Sequence, residues 1–175
     1  MTELTRRDAL IALASAGVAT TALGTVAWSR LTDEEGQTDE RETIVAVADA
    51  LYPSGTSGIE SFVETYVAGR VQGREEYLDG VRAAARRLDE YARYRYDEPY
   101  AALDRETRQT VLDEYGLAER EPDPDGGEVQ QVRYYLVNEL LFAFYASPTG
   151  GKMVGIENPQ GYPGGTDSYR HGPPE

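Results

Sequence analysis

Cysteine is absent from this chain. That excludes disulfides, thiolate metal sites, iron–sulfur clusters, haem attached through Cys-x-x-Cys-His, and a lipid anchor on an N-terminal cysteine. Histidine occurs once, as His171, four residues before the carboxyl terminus. A general base of the usual kind is therefore missing, and so is the paired Glu-x-x-His set of a di-metal carboxylate bundle. Lysine also occurs once, as Lys152. No Gly-x-Ser-x-Gly elbow, phosphate loop or glycine fingerprint after a strand is found. The constellations that an enzyme needs are largely lacking. The carboxylates are many, but they fall on polar helix faces and read as a solvated surface.

Basic charge is scarce. The chain has 17 basic and 31 acidic residues; without the three arginines and two acids of residues 1–30, 14 and 29 are left, a net charge of −15. Such a surface repels nucleic acid and anionic lipid, so neither is expected as a partner. An acid-rich, lysine-poor surface suits a halophilic setting in which cations screen self-repulsion. The domain is expected to lose structure below about molar salt, where the Debye length exceeds roughly 3 Å. Circular dichroism during dialysis into dilute buffer checks this; an unchanged helical spectrum would refute it.

Arg6 and Arg7 stand directly before an uncharged stretch from Ala9 to Trp28. A pair of arginines in that position marks a twin-arginine export signal. The stretch is rich in Ala, Thr and Gly and poor in Leu, more modest than a strong membrane span. Its twenty residues would still just cross a bilayer core of about 30 Å. No clean small-x-small site precedes Asp33-Glu34-Glu35, so a cleaved signal and a retained N-terminal anchor are both compatible with it. Residues 1–30 are accordingly set aside from the fold, and residues 31–40 read as an acidic linker. The protein is expected to leave by the twin-arginine translocase, for the outer face of the cytoplasmic membrane or the extracellular space.

Helical periodicity dominates residues 41–148. Ile44, Val47, Ala48 and Leu51 recur at spacings of three and four before Pro53. Further helices are expected over Ile59 to Val71, Glu75 to Tyr96, and from an N-cap at Asp104 to a stop at Gly116. The last, Glu128 to Ser147, is the most apolar; its run Leu140 to Ala146 suits a central core helix or a covered interface. No convincing strand is seen. The fold class is mainly α: about five helices, followed by a long irregular Gly/Pro/Tyr-rich tail over residues 149–175. Thirteen tyrosines fit either a contact surface or core-edge positions with hydroxyls in water. In the tail, Met153, Val154, Ile156 and Tyr162 are apolar anchors set among turns, as in a segment laid over a partner or over its own domain.

In order along the chain come Ala48-Asp49-Ala50-Leu51-Tyr52-Pro53, then Phe62-Val63-Glu64-Thr65-Tyr66-Val67. Leu103-Asp104-Arg105-Glu106-Thr107-Arg108-Gln109-Thr110-Val111-Leu112 follows, and last a Thr149-Gly150-Gly151 turn. Together with the signal, these stretches resemble the small subunit, subunit 3, of gluconate 2-dehydrogenase-type complexes. The resemblance implies a non-catalytic accessory subunit with no cofactor of its own. Its partner would be a flavoprotein of the glucose–methanol–choline type carrying FAD, and a cytochrome c subunit often completes such a complex. The small subunit would supply the export signal and stabilise the flavoprotein. Tyr145, Met153, Ile156, Tyr162, Pro163, Gly164 and Gly165 are then the expected partner contacts. Tyr162-Pro163-Gly164-Gly165-Thr166-Asp167 departs from the family's Tyr-Gly-Gly-Asn-like turn, and no tryptophan follows it. Substrate identity therefore does not carry over. The other reading of the residues is a stand-alone membrane-anchored helical domain that binds some surface protein.

Overall fold

The computed structural model describes residues 2–18 and 40–155. Its elements are strand β1 (Thr2–Glu3), α1 (Arg6–Ser15), α2 (Glu40–Leu51), β2 (Thr56–Ser57), α3 (Ile59–Val71) and α4 (Glu75–Tyr96). Then come α5 (Arg105–Glu114), α6 (Glu128–Val132), a π-helical stretch (Arg133–Asn138), α7 (Glu139–Ala146) and α8 (Pro148–Met153). Short 3₁₀ turns at Tyr100–Ala102 and Leu117–Glu119 flank α5. The mainly α expectation holds.

Local chemistry sets most of the helix ends. The Asp104 carboxylate accepts the Thr107 backbone N–H at 2.9 Å and starts α5. Gly116, at φ 77°, ends it in the left-handed region that glycine adopts freely. Pro53 cannot continue α2, whose last backbone bond runs from the Tyr52 N–H to the Ala48 carbonyl. The rod over 128–146 is interrupted only by its π turn, a feature often found where a side chain must be re-aimed.

α2 lies at the centre and packs against α3, α4, α5 and the π stretch. Ile44, Val47, Phe62, Val63, Val81, Leu88, Val111, Leu136, Leu140 and Phe144 fill a single core. The seam between α2 and α5 is polar. Asp49 receives Arg105 at 3.4 Å and Arg108 at 3.2 Å. Arg105 also donates to the Tyr52 carbonyl, and Gln109 to the Ala50 carbonyl at 2.8 Å. The stretches Ala48 to Pro53 and Leu103 to Leu112 are thus two sides of one joint.

Three expectations need correction. Residues 1–30 do not stand wholly apart: the described part, residues 2–18, is packed into the domain. Thr5 and Asp8 form a reciprocal cap at the start of α1, and Ala9, Ala12 and Leu13 are buried. A strand pair exists as well. Thr2–Glu3 runs parallel to Thr56–Ser57, a register too short to leave a periodic trace in the sequence. Finally, the irregular tail does not begin at 149. Ser147 accepts the Gly150 N–H at 3.0 Å, and Pro148 occupies the first helical position, so one more helix forms despite its two glycines. Gly150 is required there, since a Cβ would stand 2.2 Å from the Phe144 carbonyl oxygen.

Candidate partner interface

α7 presents two unlike faces. Leu140, Ala143 and Phe144 point inward and are buried, whereas Phe142 is 40% exposed and Tyr145 42%. Residues three apart are neighbours on a helix surface, so these two rings form one apolar strip. The Tyr145 ring stands edge-on to Phe144, with centroids 5.6 Å apart, which holds it in place. Met153 (37% exposed) and Val154 (45%) continue the apolar exposure at the end of α8, and Leu10 (43%) adds to it on α1. α1, α7 and α8 pack on one another, so the elements that carry these side chains meet at one corner of the described residues. Among the described residues, the remaining large apolar exposure is Tyr94 on α4.

Of the residues singled out from sequence, Tyr145 and Met153 lie on this corner. Arg6 and Arg7 are exposed on the first turn of α1. Ile156, Tyr162, Pro163, Gly164 and Gly165 lie outside the described residues. Leu10 is not among the expected contacts, and Phe142 falls within the run Leu140 to Ala146 that suits a core helix or a covered interface. Phe142 could have been found from its spacing, since it stands off the inward line of Leu136, Leu140 and Phe144.

A mostly buried polar cluster sits one turn before the strip, with the Glu139 side chain 13% exposed. Glu139 Oε1 accepts the Tyr66 hydroxyl at 2.5 Å and Arg70 Nε at 2.5 Å. Its Oε2 accepts the Tyr77 hydroxyl at 2.6 Å and the other Arg70 branch at 3.3 Å. Burial, and then the adjacent Glu139 carboxylate, push both tyrosine hydroxyls far above their ordinary range. They stay protonated and donate. The cavity beneath the cluster is about 10 Å³. A cavity needs roughly 10–15 Å³ to admit even one water, so no substrate fits there. The cluster joins α3, α4 and α7 and is structural.

The tyrosines divide accordingly. Tyr52, Tyr66, Tyr77 and Tyr100 are buried, and their hydroxyls reach protein acceptors rather than water. Tyr91 and Tyr115 stand edge-on at 5.0 Å, as do Tyr134 and Tyr135 at 4.9 Å. An open cleft of about 580 Å³ is lined by Asp49 and Arg108, which are already paired with each other, and by Arg41, Glu42 and Glu60. Among the described residues no group of three or more metal-ligating side chains converges. Nor is any helix of the described residues long and apolar enough to cross a membrane.

Among the described residues, this small helical domain joins a satisfied polar cluster to an exposed apolar corner, the kind of patch found at interaction surfaces. The sequence model described as gluconate 2-dehydrogenase subunit 3 matches residues 38–164, and the chain belongs to that family. It is a family of subunits of a dehydrogenase complex. No curated protein and no solved structure matches the chain.

Proposed function

We propose that this chain is the non-catalytic small subunit of an exported, membrane-associated, flavin-dependent sugar or alcohol dehydrogenase. It supplies the twin-arginine signal and stabilises a flavoprotein of the glucose–methanol–choline type, to which a cytochrome c subunit can be added. The observation that carries this reading is the exposed Phe142–Tyr145 strip on the most apolar helix of the family match. Exposed apolar surface that continues a core helix costs solubility unless a partner covers it. FAD is assigned to the partner. That assignment follows the family resemblance, and the described residues hold no strand–turn–helix unit of the doubly wound dinucleotide-binding kind. The Arg6–Arg7 pair supports export of the assembled complex to the outer face of the membrane or beyond.

Affinity capture of the tagged chain from its native membrane fraction, in high salt, tests this. A co-eluting protein with flavin absorbance is expected. A colourless, solitary chain that is still folded would favour the stand-alone membrane-anchored binding domain. Arg6→Lys with Arg7→Lys should strand both subunits in the cytoplasm, as fractionation would reveal. Export of the flavoprotein in that variant would end the escort role.

A further inference from the structure

Residues 2–18 lie outside the family match, yet they are built into the fold. The Leu4 N–H donates to the Ser57 carbonyl at 2.9 Å, and the Leu4 side chain is buried. Ala9, Ala12 and Leu13 form the inner face of α1 against α3 and α7. Two glycines act as sockets. A Cβ at Gly58 would stand 2.1 Å from the Leu4 carbonyl oxygen, and one at Gly69 would stand 2.5 Å from Leu13 Cδ1. At the far side, Asp8 Oδ1 accepts the Thr149 backbone N–H at 3.1 Å. That donor is one of the N–H groups that a helix start leaves free, so α1 is fastened to α8.

These same residues open the apolar part of the export signal. Ala9, Ala12 and Leu13 cannot line the domain core and enter a translocase at once. The docked face is small: Leu4 and Leu13 are its fully buried large side chains, Ala9, Ala12 and Asp8 lie between them, and Val18 packs partly against the core. We propose that the chain masks its own export signal: α1 docked on α3, α7 and α8 is the withheld state, and release of residues 2–18 makes the signal available. This rests on the export reading above. The arginines remain on the surface in the docked state, as do Leu10 and Ala14 on the outer face of α1, while the inner face of the apolar stretch that must follow them is tied down at its start.

The chain has no cysteine, so a single introduced thiol reports alone. Ala9→Cys and Ala12→Cys, each at a buried position, are compared with Ala14→Cys at an exposed one, in the full chain in high salt. The buried thiols should react with a maleimide at least about tenfold more slowly. Equal rates at all three positions overturn the docking. Gly69→Leu and Gly58→Ala then obstruct the docked segment without altering the signal. Two variants are used because Gly58 also has a φ of 73°, which strains any other residue. In each, circular dichroism should report an intact helical domain and the thiols should label at the exposed rate. The exported fraction of the chain should rise about twofold or more. Fast labelling with unchanged export overturns the mask, and slow labelling in both variants overturns the sockets. Arg6→Lys with Arg7→Lys separates the two readings. Export of that chain removes the signal reading whatever the thiols report, whereas slow labelling with blocked export upholds docking and signal together.

Discussion

Glu139 and the Phe142–Tyr145 strip lie within two turns of one helix, and they invert the usual rule. The charged residue is mostly inside, and two of the three rings of α7 are outside. Each Glu139 oxygen has two donors at 2.5–3.3 Å. Phe142 and Tyr145 are at least 40% exposed. Polarity alone does not sort a helix face; satisfaction does. A buried carboxylate is tolerated when Arg70, Tyr66 and Tyr77 complete it, and an exposed aromatic pair is incomplete until something covers it.

The largest effect should come from breaking the satisfied half. Glu139→Ala leaves the Arg70 charge and two tyrosine hydroxyls without their acceptor. The cost should be about 3–5 kcal/mol, as for other buried pairs that lose one member. Glu139→Gln keeps an acceptor of the same shape and should cost about half that. Denaturant unfolding in high salt measures both. If Ala and Gln variants are equally stable, the cluster is not the joint between α3, α4 and α7.

The unsatisfied half should respond in the opposite way. Phe142→Asp combined with Tyr145→Asp should change the stability of the isolated chain by about 1 kcal/mol or less, as surface changes do. Capture of the flavoprotein should weaken by about 2 kcal/mol or more, the scale of an interface hot spot. Co-purification yield across a dilution series reads the difference. Undiminished capture would move the interface away from α7 and leave the strip unexplained.

Legibility followed the range of the interactions. Ile59–Val71 and Glu75–Tyr96 are found at the bounds that periodicity and the breakers Gly58 and Gly73 imply. Asp104 and Gly116 act within one turn of themselves, so a short window of sequence suffices. Partners distant in the chain were not legible. Glu139 lies 73 residues from Tyr66, 69 from Arg70 and 62 from Tyr77. One local sign existed: a lone carboxylate inside the most apolar helix needs a partner. The joint of Asp49 with Arg105 and Arg108 is equally hidden, although both stretches carry the family resemblance. The docking of α1 is hidden because an arginine pair before an uncharged stretch has the composition of a segment that lies outside a fold. A signal's composition and an alanine-rich packing helix look alike, because small residues serve both.

The smallest effect sharpens the comparison with two further carboxylates. Burial pushes Asp8 upward, but hydrogen bonds from Thr5 and Thr149 outweigh it and hold the carboxyl below its ordinary value of 3.8. Its stabilisation is therefore present above about pH 4 and is lost as pH falls through the lowered value. Glu40 is the opposite case. Burial dominates over the Arg86 guanidinium at 3.2 Å and raises the carboxyl above 4.5. The contribution of Glu40 is complete below its ordinary value and disappears as pH rises through the raised one. Acidification should first relieve the start of α2 and only later unfasten α1 from α8. Hydrogen exchange of residues 2–18, corrected for its intrinsic pH dependence, should show protection falling below about pH 4. Asp8→Asn should flatten that dependence and cost about 1 kcal/mol, the worth of a cap. If wild type and variant lose protection together, the alanine face rather than the carboxylate holds α1. In that case Asp8 joins Glu40 as a carboxylate whose burial exceeds what its partners return, and satisfaction at the N-terminal joint would be weaker than at Glu139.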